Sequence, residues 1–106
     1  MSYRYMRIIV MFDLPMETSA DLREYQKFRK YLIRSGFLMM QKSVYCKLAL
    51  NMTVADAVME SVRRNHPKEG LIQAFIMTEK QFSRMEFIIG KPSTNVLDTD
   101  KRLVIL

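Results

Sequence analysis

With 106 residues and 49% hydrophobic content, the chain suffices for one domain and one core, residues 1–106, and is too short for two. Seventeen Lys and Arg against eleven Asp and Glu leave a formal charge of +6, and the pI of about 9.7 falls in the range of nucleic-acid-binding domains. One cysteine, Cys46, excludes a disulfide framework and fits a reducing compartment; three glycines exclude a Gly-rich phosphate loop; a lone histidine, His66, leaves zinc and Ser-His-Asp chemistry without parts.

No apolar run approaches the ~20 residues of a membrane helix. The N-terminus, Met-Ser-Tyr-Arg-Tyr-Met-Arg, has no apolar signal region. A cytoplasmic protein without a membrane partner is expected.

Tyr3 to Phe12 reads as a strand, with Met6, Ile8, Val10 and Phe12 on one apolar face and Tyr5, Arg7, Ile9 and Met11 on a mixed one. Pro15 stops it, since proline cannot continue a ladder and disfavours helix at Leu14. Thr18 with Asp21 forms a capping pair, and the helix it opens runs to Ser35 and stops at Gly36. Tyr25, Phe28, Leu32 and Leu22 form its inward side. Phe37 to Gln41 and Val44 to Leu50 read as two strands with a tight connection, the second with Val44, Cys46, Leu48 and Leu50 on one face.

Thr53 with Asp56 repeats the capping signature and opens a second helix, with Val54, Val58 and Val62 inward beside Ala55 and Met59. Pro67 and Gly70 end the segment after it. Leu71 to Met77 is a strand apolar on both faces, Thr78 to Arg84 a helical turn, and Phe87 to Ile89 a short strand closed by Gly90 and Pro92. A polar stretch precedes the aliphatic tail Leu103 to Leu106. The order strand, helix, strand, strand, helix, strand predicts an α+β, ferredoxin-like βαββαβ domain, its antiparallel sheet covered by two helices on one face, with short extra C-terminal strands.

That arrangement leaves one sheet face uncovered, and an apolar face of that size on a soluble chain predicts a two-fold, sheet-to-sheet homodimer in which the tail docks on the partner.

The first helix carries the best-placed charge. Arg23, Lys27, Lys30 and Arg34 are spaced four, three and four, so they form one stripe nearly opposite the apolar side. They span roughly 16 Å at 1.5 Å per residue, comparable to several phosphates of a duplex strand. Most charge stripes are solvated faces, but no acid at the neighbouring i,i+4 positions neutralises this one. Arg63, Arg64 and Lys68 form a second basic cluster, which also complements the dipole of the second helix. Asp13, at the end of an apolar strand, is the candidate metal or catalytic carboxylate, although Asp before X-Pro is equally a good turn residue. Glu17 and Asp21 follow it at a distance. Metal-dependent phosphodiester cleavage uses several carboxylates, so a nuclease site here would need a second Asp13 across a two-fold axis.

The sequence resembles the small CRISPR-associated adaptation proteins, the Cas-two family, particularly the form in type II systems. The likeness covers nearly the whole chain. It rests on Tyr5-Met6-Arg7 leading into Met11-Phe12-Asp13-Leu14-Pro15, on Tyr25-x-Lys27-Phe28-Arg29-Lys30-x-Leu32, and on Gly36-Phe37. It continues through Gln41-x-Ser43-Val44-Tyr45 and Thr78-Glu79-Lys80-Gln81-Phe82. Each is weak alone, but their order and spacing are specific. The resemblance implies relatives that run slightly past the position of Leu106.

The resemblance implies a ferredoxin-like homodimer seated between two dimers of the CRISPR integrase subunit, holding a foreign DNA duplex for insertion into the CRISPR array as antiviral defence. It also implies contact with the effector nuclease and a further adaptation subunit. Asp13 matches the family's strand-end aspartate, described as a magnesium ligand of a metal-dependent endonuclease. Two readings follow: a DNA-supporting scaffold whose partners do the chemistry, and a magnesium-dependent endonuclease cleaving RNA or DNA through paired Asp13 residues.

Overall fold

The computed structural model describes residues 4–91, and its central element is the strand β1 (Met6–Asp13). The remaining elements are α1 (Ser19–Arg34), β2 (Leu38–Gln41), β3 (Val44–Ala49), α2 (Met52–Arg64), β4 (Leu71–Thr78) and the short α3 (Glu79–Phe82). The strands form one antiparallel sheet in the order β2-β3-β1-β4, the ferredoxin-like order expected from the sequence.

β1 lies mid-sheet because both its faces are apolar enough to be buried. Met6, Ile8, Val10 and Phe12 pack under Tyr25, Phe28 and Leu32 of α1 and Ala55 and Val62 of α2. The Phe12 ring meets Phe28 edge-on at 5.2 Å and stacks on Tyr45 at 5.7 Å. Each such side chain contributes about 1.5–3 kcal/mol through burial.

The first helix starts as its sequence signals. The Asp21 backbone N–H donates to Thr18 Oγ1 at 3.0 Å, and Asp21 Oδ2 accepts from the Thr18 N–H at 3.1 Å. It ends at Ser35, followed by Gly36 at φ +94°. The second helix starts earlier than Thr53 and Asp56 suggest. Asn51 is its cap, with Oδ1 accepting from the Val54 N–H at 2.9 Å. Asn is at least as good a cap as Thr, and on this helix Ala55 rather than Val54 faces the core.

Several side chains differ from the expected pattern. Leu22 and Val54 lie at the margins of their helices and are exposed, as is Leu50 just past the end of β3. Phe87 to Ile89 form no strand but a bend, with Ile88 86% and Ile89 93% exposed. No strand pairs with them among the described residues. The tail Leu103 to Leu106 lies outside the described residues, as does Tyr3.

The sheet face opposite the long helices is covered in part. Phe82 of α3 closes over Ile9 and Cys46, and Met11, Met40, Val44 and Met77 border that second cluster. Arg7, expected on a mixed surface, is 1% exposed. The open remainder of this face carries Leu71 and Phe75 on β4, while Ile72, Ala74 and Ile76 of the same strand turn into the core. No helix among the described residues is long and apolar enough to cross a membrane.

Candidate nucleic-acid interface

Asp13 ends β1 and is exposed. Its position is fixed by pairing opposite Leu71 at the start of β4. The neighbouring Gly70, at φ +109°, lets the chain approach closely: a Cβ there would stand 2.6 Å from Leu14 Cδ2 and 3.0 Å from the Asp13 carbonyl oxygen. Asp21, one of the two carboxylates nearest in sequence, is engaged elsewhere. Asp21 is held by the cap of α1, accepting from the backbone N–H groups of Thr18 and Glu17.

Magnesium prefers six oxygens in near-octahedral array. Among the described residues no group of three His, Cys, Asp or Glu side chains is placed to hold a metal ion. Among the described residues Asp13 therefore belongs to no cluster of three such groups, so a magnesium ion there would take most of its oxygens from water or from a second copy of the chain.

The basic residues are better organised. Arg23, Lys27, Lys30 and Arg34 are all exposed along the outer side of α1, opposite the buried Tyr25, Phe28 and Leu32. Among the described residues no carboxylate lies within ion-pairing distance of any of the four. The second cluster is partly compensated: Arg63 Nη1 lies 2.8 Å and Arg64 Nη1 3.9 Å from the Glu60 carboxylate. Such exposed pairs are weak, about 0–1 kcal/mol, and leave both guanidinium groups available.

The two helices bring the clusters together. They lie side by side over the same face of the sheet, and the hydroxyls of Tyr31 on α1 and Ser61 on α2 hydrogen-bond at 2.6 Å. Consequently Lys27 and Arg64 line one groove, while Arg23 and Lys68 line the next. The row on α1 and the end of α2 thus form one basic surface, a juxtaposition that spacing along either helix does not reveal. His66, set aside in the sequence as a catalytic or zinc residue, lies in this surface beside Arg64.

The sequence profile described as CRISPR associated protein Cas2 matches residues 6–85. The chain belongs to this family. A CRISPR-associated endoribonuclease Cas2 of Treponema denticola is 54% identical over 101 residues, covering 95% of this chain and 100% of the relative. Proteins of the same name from Streptococcus mutans and Ligilactobacillus salivarius are 45% and 42% identical, again over 95% of this chain and over 93% and 100% of their own lengths. A CRISPR-associated role follows from membership in the Cas2 family. The matched segment contains Asp13, the whole row on α1 and the Arg63-Arg64 pair, so the basic surface belongs to the shared domain.

Proposed function

We propose that this chain is a cytoplasmic, DNA-supporting subunit of CRISPR adaptation. It acts as a homodimer that bridges dimers of the integrase subunit and holds a foreign duplex during spacer acquisition, with the effector nuclease and a further adaptation subunit as additional partners. The carrying observation is the exposed row Arg23, Lys27, Lys30 and Arg34, uncompensated among the described residues and continuous with Arg64. A row of cations on a rigid helix contacts phosphates without reading bases, as a scaffold for arbitrary foreign sequences requires. The homodimer is supported by the open face of β4, where Leu71 is 55% and Phe75 43% exposed.

The second reading is hydrolysis of RNA, favoured by the endoribonuclease names of the relatives, with Asp13 as catalytic residue and magnesium as cofactor. Its support within this chain is a single exposed carboxylate, and it depends on the dimer to supply another.

One experiment separates the two. Wild type and Asp13→Asn are given labelled duplex DNA and single-stranded RNA in magnesium, and spacer acquisition is followed in cells. The scaffold reading expects equal duplex binding, intact acquisition and no RNA cleavage. Magnesium-dependent RNA cleavage by the wild type, lost in Asp13→Asn, would give the site to the endoribonuclease reading.

A further inference from the structure

Three side chains from three segments meet in one notch of the helical layer. Lys27 from α1, Arg64 from the last turn of α2 and His66 from the following loop line a groove of about 150 Å³, with Phe28, Pro67 and a single acid, Glu24. The neighbouring groove is different, since Arg23 and Lys68 there share the walls with Asp21, Glu24 and Glu69. Two helices and a loop converging with excess positive charge make the first groove suited to an anion. His66 adds a chemical detail. Its Nδ1 lies 2.7 Å from the Pro67 carbonyl oxygen, and a carbonyl only accepts, so Nδ1 carries the hydrogen. In the neutral ring Nε2 is then an acceptor, and only the imidazolium offers an Nε2–H donor to an anion.

We propose that Lys27, Arg64 and His66 together seat one backbone phosphate, fixing where along the helical layer a bound duplex lies. This rests on the duplex-supporting reading above and adds a registration point to it. Glu24 and Lys27 from α1, Arg63 and Arg64 from α2, and Lys68 and Glu69 from the loop are the charged groups facing His66. Glu24 opposes the phosphate.

The test uses the full chain and a fluorescent duplex, with Lys27→Gln, Arg64→Gln, the double variant and Lys42→Gln in the β2–β3 turn as a charge-matched control. Thermal unfolding confirms that each variant is folded. Two cations sharing one phosphate reduce the slope of log affinity against log salt by about 0.9 in the double variant, and by no more than that in either single one. A double variant whose slope falls by about 1.8, twice the value for one phosphate, would mean two separate phosphates and overturn the notch. An equal fall in Lys42→Gln would overturn it too. In the second arm, His66→Ala lowers duplex affinity at fixed salt and pH relative to wild type. Unchanged affinity would remove His66 from the site. Failure of the wild-type chain to bind duplex at all would instead overturn the duplex-supporting reading itself.

Discussion

Arg7 on β1 donates from Nε to Glu79 Oε1 at 2.8 Å and from Nη2 to Glu79 Oε2, joining the centre of the sheet to the first turn of α3 across 72 positions of sequence. The same guanidinium lies 4.2 Å over the ring of Phe82 and 3.6 Å from Cys46 Sγ. The Glu79 N–H donates to the Tyr5 carbonyl at 2.9 Å, so α3 is pinned at both backbone and side chain. Burial lowers the Arg7 pKa, but the hydrogen bond to Glu79 and the neighbouring negative charge outweigh it, and the net shift is upward. A raised value in the folded state means that the stabilisation is present below the unfolded value and lost only as pH rises through the folded one. Arg7 therefore keeps its charge, and its share of this stabilisation, through the neutral range.

Breaking this pair is expected to cost more than replacing it. Glu79→Ala leaves a buried guanidinium without its carboxylate, a change that costs about 3–5 kcal/mol for a fully buried pair. Glu79 is 21% exposed, which places the effect toward the lower end. The double variant Arg7→Met, Glu79→Met is expected to recover most of it, because two apolar side chains suit the Ile9, Cys46 and Phe82 surroundings. Chemical denaturation of the three proteins checks this; a double variant no more stable than Glu79→Ala would contradict the assignment.

Gly70→Ala is expected to destabilise the chain by about 1–3 kcal/mol and to displace Asp13. The added Cβ meets Leu14 Cδ2 at 2.6 Å and the Asp13 carbonyl at 3.0 Å, on a backbone at φ +109°. Leu14→Ala in the same chain relieves the side-chain clash but leaves the backbone contact and the strained φ, and it removes a buried core side chain at a cost of about 2–5 kcal/mol. No net recovery is therefore expected, and thermal unfolding of the single and double variants reads the difference. A Gly70→Ala protein as stable as wild type would show that the loop before β4 is free to move away from Asp13.

Much of this fold was legible because its signals are local. The alternation in β1 predicted the four residues that enter the core, and Thr18 with Asp21 predicted the cap of α1. Asn51 was overlooked because a Thr-x-x-Asp pattern two residues later mimics a cap, and only the backbone shows which side chain accepts the free N–H. Phe87 to Ile89 looked like a strand because three apolar residues before a glycine satisfy the pattern; a strand also needs a ladder partner, which periodicity does not supply. At the interface, exposure of the α1 row followed from helical spacing. The meeting of Lys27 with Arg64 and His66 did not, since it depends on how two helices pack. Arg7 lies on the face that alternation assigns to it, with Ile9 and Met11, but its burial is not legible, because its partner Glu79 is remote in sequence.

The open face of β4 carries the dimer prediction. Leu71 and Phe75 project from a sheet face that α3 covers only near Arg7 and Ile9. The expected species has about twice the 12.6 kDa chain mass at low micromolar concentration. Phe75→Asp places a charge on that face without touching the helix-side core, and is expected to shift light-scattering mass to that of one chain. A wild-type protein that stays monomeric would exclude the sheet-to-sheet arrangement, and with it any site requiring two copies of Asp13.

The row on α1 gives the most direct link between sequence and function. Arg23, Lys30 and Arg34 are exposed, and none is ion-paired among the described residues. Replacing all three with Gln is therefore expected to change stability by no more than about 0.5 kcal/mol per site. Binding should respond quite differently. Removing one cation that neutralises a phosphate lowers the magnitude of the slope of log affinity against log salt by about 0.9 on duplex DNA. The change should be the same on two unrelated duplexes, because phosphate contacts position a duplex without reading its sequence. Fluorescence anisotropy between about 50 and 200 mM salt measures both quantities. Three independent phosphates predict a slope reduced by about 2.7, and a smaller figure shows how many of the three cations reach the backbone. A triple variant with the wild-type slope would show that these three cations belong to a solvated helix face, leaving Lys27 and the groove it shares with Arg64 to carry the duplex.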